Sequence, residues 1–172
     1  SKNFMIKVFA DYQENHKEFD KEVNFSIERV GGIKFLRKIR KAQLINEFLK
    51  ENKVQGIIAD HWKSLELIKT TKNKYCLIHG KEINHPKGSF QNKKIIKVLN
   101  NVEKVIANSE YTKNLAISIG VDQTKIVVIN PGVNPPKELN KKSLDKVENL
   151  LKIKTPRLIT VSRFDKRKNH EK

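Results

Sequence analysis

Four short, continuous apolar runs punctuate the middle of this sequence: Gly56–Ala59, Tyr75–Ile78, Val102–Ala107 and Ile126–Ile129. Segments able to form helices lie between them, at Ser64–Thr70, Lys93–Asn100 and Tyr111–Ile119. An unbroken apolar run marks a strand covered on both faces, whereas a strand with one wet face alternates. Strands separated by helices run parallel, because a parallel pair needs a crossover long enough to hold one. The pattern predicts an α/β fold built on a doubly wound parallel sheet. Ser109 stands where the last of these helices needs an N-cap, and Gly120 where a left-handed residue ends it.

The flanks fill in the organisation. Phe4–Ala10 and Val23–Val30 read as strands, separated by a polar stretch, Asp11–Glu22, expected to be a loop. Gly31-Gly32 is a turn signal, too sparse in glycine spacing for a phosphate loop. From Lys34 to Lys50 the period changes to that of a helix, with Phe35, Ile39, Ala42, Ile45 and Leu49 on the face expected to pack on the sheet. Lys34, Arg37, Lys38, Arg40 and Lys41 lie on the other side, where they could rest on anionic lipid headgroups but are more simply expected to face water. Asn130–Pro136 is a Pro- and Gly-rich break, Leu139–Lys152 a polar segment with weak helical pattern, and Pro156–Val161 another strand, followed by a basic loop. The expected division is a first domain over 1–134, a linker over 135–155, and the opening strand and loop of a second domain over 156–172.

Charge narrows the function classes less than its size suggests. The 172 residues carry 36 Lys+Arg against 19 Asp+Glu, a formal +17. Only 6 of the basic residues are Arg, and residues 61–120 contain none. Readers of nucleic acid favour the bidentate Arg fork and stacked aromatics, and aromatics are 7% here. The excess therefore describes a lysine-rich surface that attracts anions. A single cysteine, Cys76, excludes an internal disulfide framework and a Cys-rich zinc module, and fits a reducing, cytoplasmic compartment. No apolar run is long enough to span a bilayer, and Ser1-Lys2-Asn3-Phe4-Met5 shows no secretory h-region.

In an open parallel sheet, ligands gather beyond the carboxyl ends of the strands, where loops and helix N-termini converge. That rule selects Asp60-His61-Trp62, His79-Gly80-Lys81-Glu82, Asn108-Ser109-Glu110 and Asn130-Pro131-Gly132. Within them His79 is the candidate catalytic residue, since an imidazole can shuttle a proton or bond a substrate hydroxyl, and Gly80 permits close approach. A histidine that only caps its strand end is the bland alternative. His61 with Trp62 could hold a ring, though sealing sheet against helix is the simpler role for Trp62. For Ser109, N-capping is the simplest role. His16, His85 and His170 show no metal-ligand spacing. Arg163 and Lys168 could clamp a diphosphate, or belong to a solvated basic loop.

At Val105–Val133 the sequence resembles a known family. Val105-Ile106-Ala107-Asn108-Ser109-Glu110-Tyr111-Thr112-Lys113, then Gly120-Val121, then Lys125-Ile126-Val127-Val128-Ile129-Asn130-Pro131-Gly132-Val133-Asn134, is similar to the GT-B glycosyltransferases called family 4 or group 1. His79-Gly80-Lys81-Glu82-Ile83 resembles the "HG-x-E" segment of that family, and Gly56–Trp62 its preceding strand. Thr160-Val161-Ser162-Arg163 with Lys168 resembles the opening of its second domain, with Ser162 and Asn169 in place of the usual glycines. The order of these motifs agrees over residues 54–172.

The resemblance implies two Rossmann-like domains and a retaining transfer of sugar from a nucleotide-sugar donor to an acceptor hydroxyl of a glycan or lipid. By the same carry-over, His79 lies at the reacting sugar, Arg163 and Lys168 contact the donor diphosphate, and Gly80, Glu82, Ser109 and His61 line the acceptor cleft. No metal or other cofactor is expected, since two cations would neutralise the leaving diphosphate. The first strand and Gly-rich loop of the family are expected to be missing before Phe4, and its E-x7-E motif after Lys172, so these residues alone are expected to be inactive. The +17 charge suits an enzyme working at an anionic membrane, on its inner face. Two alternatives remain at this point: a basic nucleic-acid-binding domain, and a non-catalytic α/β subunit that binds a partner.

Overall fold

A computed structural model describes residues 5–70, 72–135, 140–151 and 161–162. The chain divides into two compact units, one up to Pro131 and one from Gly132. In the first unit, β1 (Lys7–Asp11) pairs in parallel with β2 (Ser26–Val30). A second, four-stranded parallel sheet holds β3 (Gly56–Ala59), β4 (Asn73–Ile78), β5 (Lys104–Ala107) and β6 (Ile126–Val128), in that order. Helices fill every crossover: α1 (His16–Glu22), α2 (Lys34–Glu51), the single turn α3 (Trp62–Leu65), α4 (Phe90–Leu99) and α5 (Glu110–Ile119). In the second unit α6 (Lys141–Leu150) is capped by Asn140, whose side chain accepts from the Lys142 N–H. The expected strand at Pro156–Val161 falls almost wholly outside the described residues.

The core shows why these segments pair. Cys76 and Ile78 of β4, and Val105 and Ala107 of β5, are fully buried against Ile95 and Leu99 of α4 and Ala116 of α5. The alternate residues Tyr75, Leu77 and Ile106 are only half-buried. The sheet therefore has one fully covered face, which corrects the expectation of equal burial on both. Ile58 departs furthest, at 71% exposed, because β3 is an edge strand with a neighbour on one side only.

Local signals in the loops hold. Gly32 adopts φ +99, the left-handed region that glycine reaches without steric cost, and turns β2 into α2. Gly120 closes α5 at φ +107, and Ser109 opens it by accepting from the Thr112 N–H at 3.2 Å. Other expectations are corrected. The stretch read as a loop at Asp11–Glu22 contains α1, which buries none of its residues and so leaves no apolar period to read. The helix expected over Ser64–Thr70 is the shorter α3, and α4 begins before Lys93 because Ser89 caps it. Phe35 does not pack on the sheet but is 72% exposed, and Ile33 and Leu36 beside it are exposed too. The cations of α2 are not simply solvated: Arg37 and Lys41 pair with Asp11, and Lys38 with Glu66.

Candidate functional site

Because β3, β4, β5 and β6 are parallel and in register, their carboxyl ends form one rim. Ala59 lies opposite Cys76, Ile78 opposite Ala107, and Ala107 opposite Val128. Asp60, His79, Asn108 and Asn130 follow within a residue or two of these ends. The rim is tied across by Asn108 N–H donating to the Ile78 carbonyl at 3.2 Å, and by the Asn130 amide donating to the Asn108 carbonyl at 3.2 Å.

His79 is held from both ends. Its backbone N–H donates to the Glu82 carboxylate at 2.5 Å, and its Nε2 lies 2.8 Å from Asp60 Oδ1. A carboxylate at Nε2 selects the tautomer that carries its hydrogen there, which leaves Nδ1 as the acceptor of the ring. The pair is partly open to water, with side-chain exposures of 47% for His79 and 86% for Asp60, so solvent screening makes it a device of orientation more than of stability.

The turn beneath His79 is held by identifiable contacts. Gly80 sits at φ +100, and the Gly80 carbonyl accepts from the N–H groups of Ile83 and Asn84. Ile83 is fully buried and anchors the turn in the core. Trp62, at 1% exposed, donates its indole N–H to the Glu82 carbonyl at 3.1 Å. Trp62 is thus the seal between α3 and the His79 turn, and its ring is not available to stack on a sugar. Glu82 works on His79 through its carboxylate and on Trp62 through its backbone.

His61 caps α3, with Nδ1 accepting from the Lys63 N–H at 3.0 Å. Burial, followed by the nearby Lys63 charge, holds its imidazole below the ordinary value against the opposing pull of Glu82 and Asp60, so His61 is neutral at pH 7. Ser109 does more than cap: its hydroxyl donates to Thr112 Oγ1 at 3.1 Å, and the Thr112 hydroxyl donates on to Asn108 Oδ1 at 2.7 Å. Thr112 is buried and touches the Gly80 side of the rim, where a Cβ added at Gly80 would lie 3.3 Å from Thr112 Oγ1.

Among the expected site residues, His79, Gly80, Glu82 and His61 come together, with Ser109 on the next strand end. Arg163 and Lys168 lie outside the described residues. Sequence reasoning missed the pairing of Asp60 with His79, and the Asn108–Thr112 link. The available signal was strand order: two consecutive parallel strands each ending in a polar residue. Among the described residues no group of three or more His, Cys, Asp or Glu could hold a metal ion.

The fold is a Rossmann-like α/β fold of the GT-B kind. The profile of Glycosyltransferase Family 4 matches residues 8–137, and the chain belongs to that family. No curated protein sequence matches it. Among solved structures it is similar to Alr3699/HepE of Anabaena in complex with UDP, at 14% identity and a TM-score of 0.60, covering 86% of this chain and 50% of that one. Structures of the same protein with UDP and glucose, and with UDP-glucose, match at TM-scores of 0.58 and 0.57, again at 14% identity. The chain spans about half the length of these solved relatives.

Proposed function

We propose that this chain is the acceptor-side domain of a retaining glycosyltransferase, with His79 at the reacting sugar. The donor is a nucleotide sugar of the kind bound by the Anabaena protein, and the acceptor a hydroxyl of a glycan or glycolipid under synthesis. The observation that carries this is the His79–Asp60 pair at the ends of adjacent parallel strands, with Glu82 fixing the His79 backbone. With Nε2 directed at Asp60, His79 presents Nδ1 to a sugar hydroxyl and orients it as the bond from the anomeric carbon to the diphosphate breaks. The electron pair leaves on the diphosphate, and Arg163 and Lys168 stabilise that growing charge, with no metal. Gly80, Ser109 and His61 border the acceptor. Family membership favours this over a nucleic-acid-binding domain or a non-catalytic subunit.

The proposed workplace is the cytoplasmic face of a membrane. Exposed Ile33 and Leu36 stand at the start of α2, and Arg40, two turns further on, has no carboxylate partner among the described residues. Among those residues no helix is long and apolar enough to cross a membrane. An apolar tip near a cation suits the headgroup layer of anionic lipid. Co-sedimentation independent of anionic lipid would remove the membrane from the proposal.

The decisive assay is sugar transfer by the full reading frame that encodes this sequence, beside the 172-residue chain. The full product transfers from a nucleotide sugar with retained anomeric configuration, His79→Ala abolishes it, and the 172 residues alone do nothing. Inverted product, or full activity in His79→Ala, overturns the mechanism; transfer by the short chain overturns the need for a second domain.

A further inference from the structure

Two of the hollows on the described surface lie beside helices. The larger, about 700 Å³ beside α1, contains Arg29, whose charge is already met by Asp20 at 2.5 Å. The smaller, about 340 Å³, lies between α2, α3 and α4 and has a different character. Lys34, Lys38, Lys63 and Lys94 line it with a single carboxylate, Glu66. Lys38 and Lys94 both pair with that carboxylate, the latter at 2.9 Å. Burial would raise the Glu66 pKa, but the two lysine hydrogen bonds outweigh it and keep the carboxylate charged. Lys63 Nζ stands 5.4 Å from the centre of the Trp62 ring, and neither it nor Lys34 has a carboxylate partner among the described residues, so the cleft keeps a net positive charge. Phe35 supplies an exposed ring on its wall, and Gln91 a neutral hydrogen-bonding group.

The cleft adjoins the catalytic rim through one residue. Trp62 forms part of its wall, and the same Trp62 holds the Glu82 carbonyl whose side chain fixes His79. We propose that this cleft binds the oxyanion of a negatively charged acceptor sugar, a phosphate or carboxylate on a pyranose whose ring rests on Phe35. The proposal rests on the glycosyltransferase reading and adds the charge class of its acceptor. The hollow is open to solvent and has room for one sugar-sized group. The donor set contains ammonium groups and no guanidinium, so it recognises charge more than planar geometry, and a dianionic phosphate binds more tightly than a carboxylate.

The test is an amide NMR titration of the 172-residue chain with glucose 6-phosphate, glucuronate and glucose, needing no donor. Glucose 6-phosphate is expected to shift the amides around Lys34, Lys63 and Gln91 with the highest affinity, glucuronate the same amides more weakly, and glucose hardly at all. Charge reversal at both Lys34 and Lys63 should weaken glucose 6-phosphate binding by about tenfold or more, equivalent to about 1.4 kcal/mol. Both residues are exposed, and the neutral pair Lys34→Gln with Lys63→Gln gives a milder version of the same loss. Glucose binding as well as its phosphate, shifts confined to another surface, or unchanged affinity in both double variants would overturn the proposal. Anion binding without any sugar transfer by the full reading frame would instead refute the glycosyltransferase reading and leave the cleft standing; transfer without anion binding would do the reverse.

Discussion

Substitution of Gly80 by alanine tests whether the His79 turn is held as described. Two effects add. At φ +100 an L-residue pays the left-handed backbone penalty, about 1–2 kcal/mol. The new Cβ would also meet Thr112 Oγ1 at 3.3 Å, closer than most real contacts. Thr112 cannot retreat freely, because its hydroxyl is bonded to Asn108 at 2.7 Å and Ser109 at 3.1 Å; loosening these costs about 1 kcal/mol more. The total is about 2–3 kcal/mol, which lowers the urea midpoint by about 1–1.5 M for an m-value near 2 kcal/mol/M. Two controls separate the effects. Gly88 has φ +80 with nothing within 4 Å, so Gly88→Ala should show the backbone penalty alone. Gly132 has neither a positive φ nor a neighbour within 4 Å, and Gly132→Ala should leave the midpoint unchanged. Equal midpoints for Gly80→Ala and Gly88→Ala would refute the contact with Thr112, and a Gly80→Ala midpoint equal to wild type would refute the turn itself.

Ser109→Ala removes the cap of α5 and should cost about 1 kcal/mol by urea unfolding, most of it recovered in Ser109→Asp, which accepts the same N–H. Asp60→Ala should change stability by less than about 1 kcal/mol, since the pair is exposed, yet release the His79 tautomer, visible in nitrogen-15 spectra of the ring. Burial, then the charges of Glu82 and Asp60, push the Cys76 thiol up to about 12. In the unfolded chain that thiol ionises near about pH 8.5, so above that pH the unfolded state binds fewer protons than the folded one and stability falls as pH rises towards 12. Unfolding measured from pH 7 to 10.5 should show this extra decline in the wild type and not in Cys76→Ala, and native Cys76 should resist alkylation at pH 8.

The elements and their punctuation were legible in the residues themselves, because each depends on neighbours close in sequence. The apolar runs marked β3 to β6, Ser109 and Gly120 bracketed α5, and Gly32 turned β2 into α2. Helix α1 escaped for the same reason: with none of its residues buried, it carries no apolar period. Phe35 was misread because an apolar residue at helical spacing can meet the core or simply begin a helix whose first turn stands in the open.

The order of motifs along the chain was enough, by resemblance, to place it among the glycosyltransferases of family 4, since that order is a property of the string. What only the tertiary structure decided is which rim residues meet. Asp60 and His79 are 19 positions apart, and they touch because β3 is the register partner of β4; no local propensity encodes that adjacency. The packing of α2, α3 and α4 likewise gathers Lys34, Lys38, Lys63 and Lys94 around one hollow. Charge is counted in the sequence, but where it gathers is decided by packing.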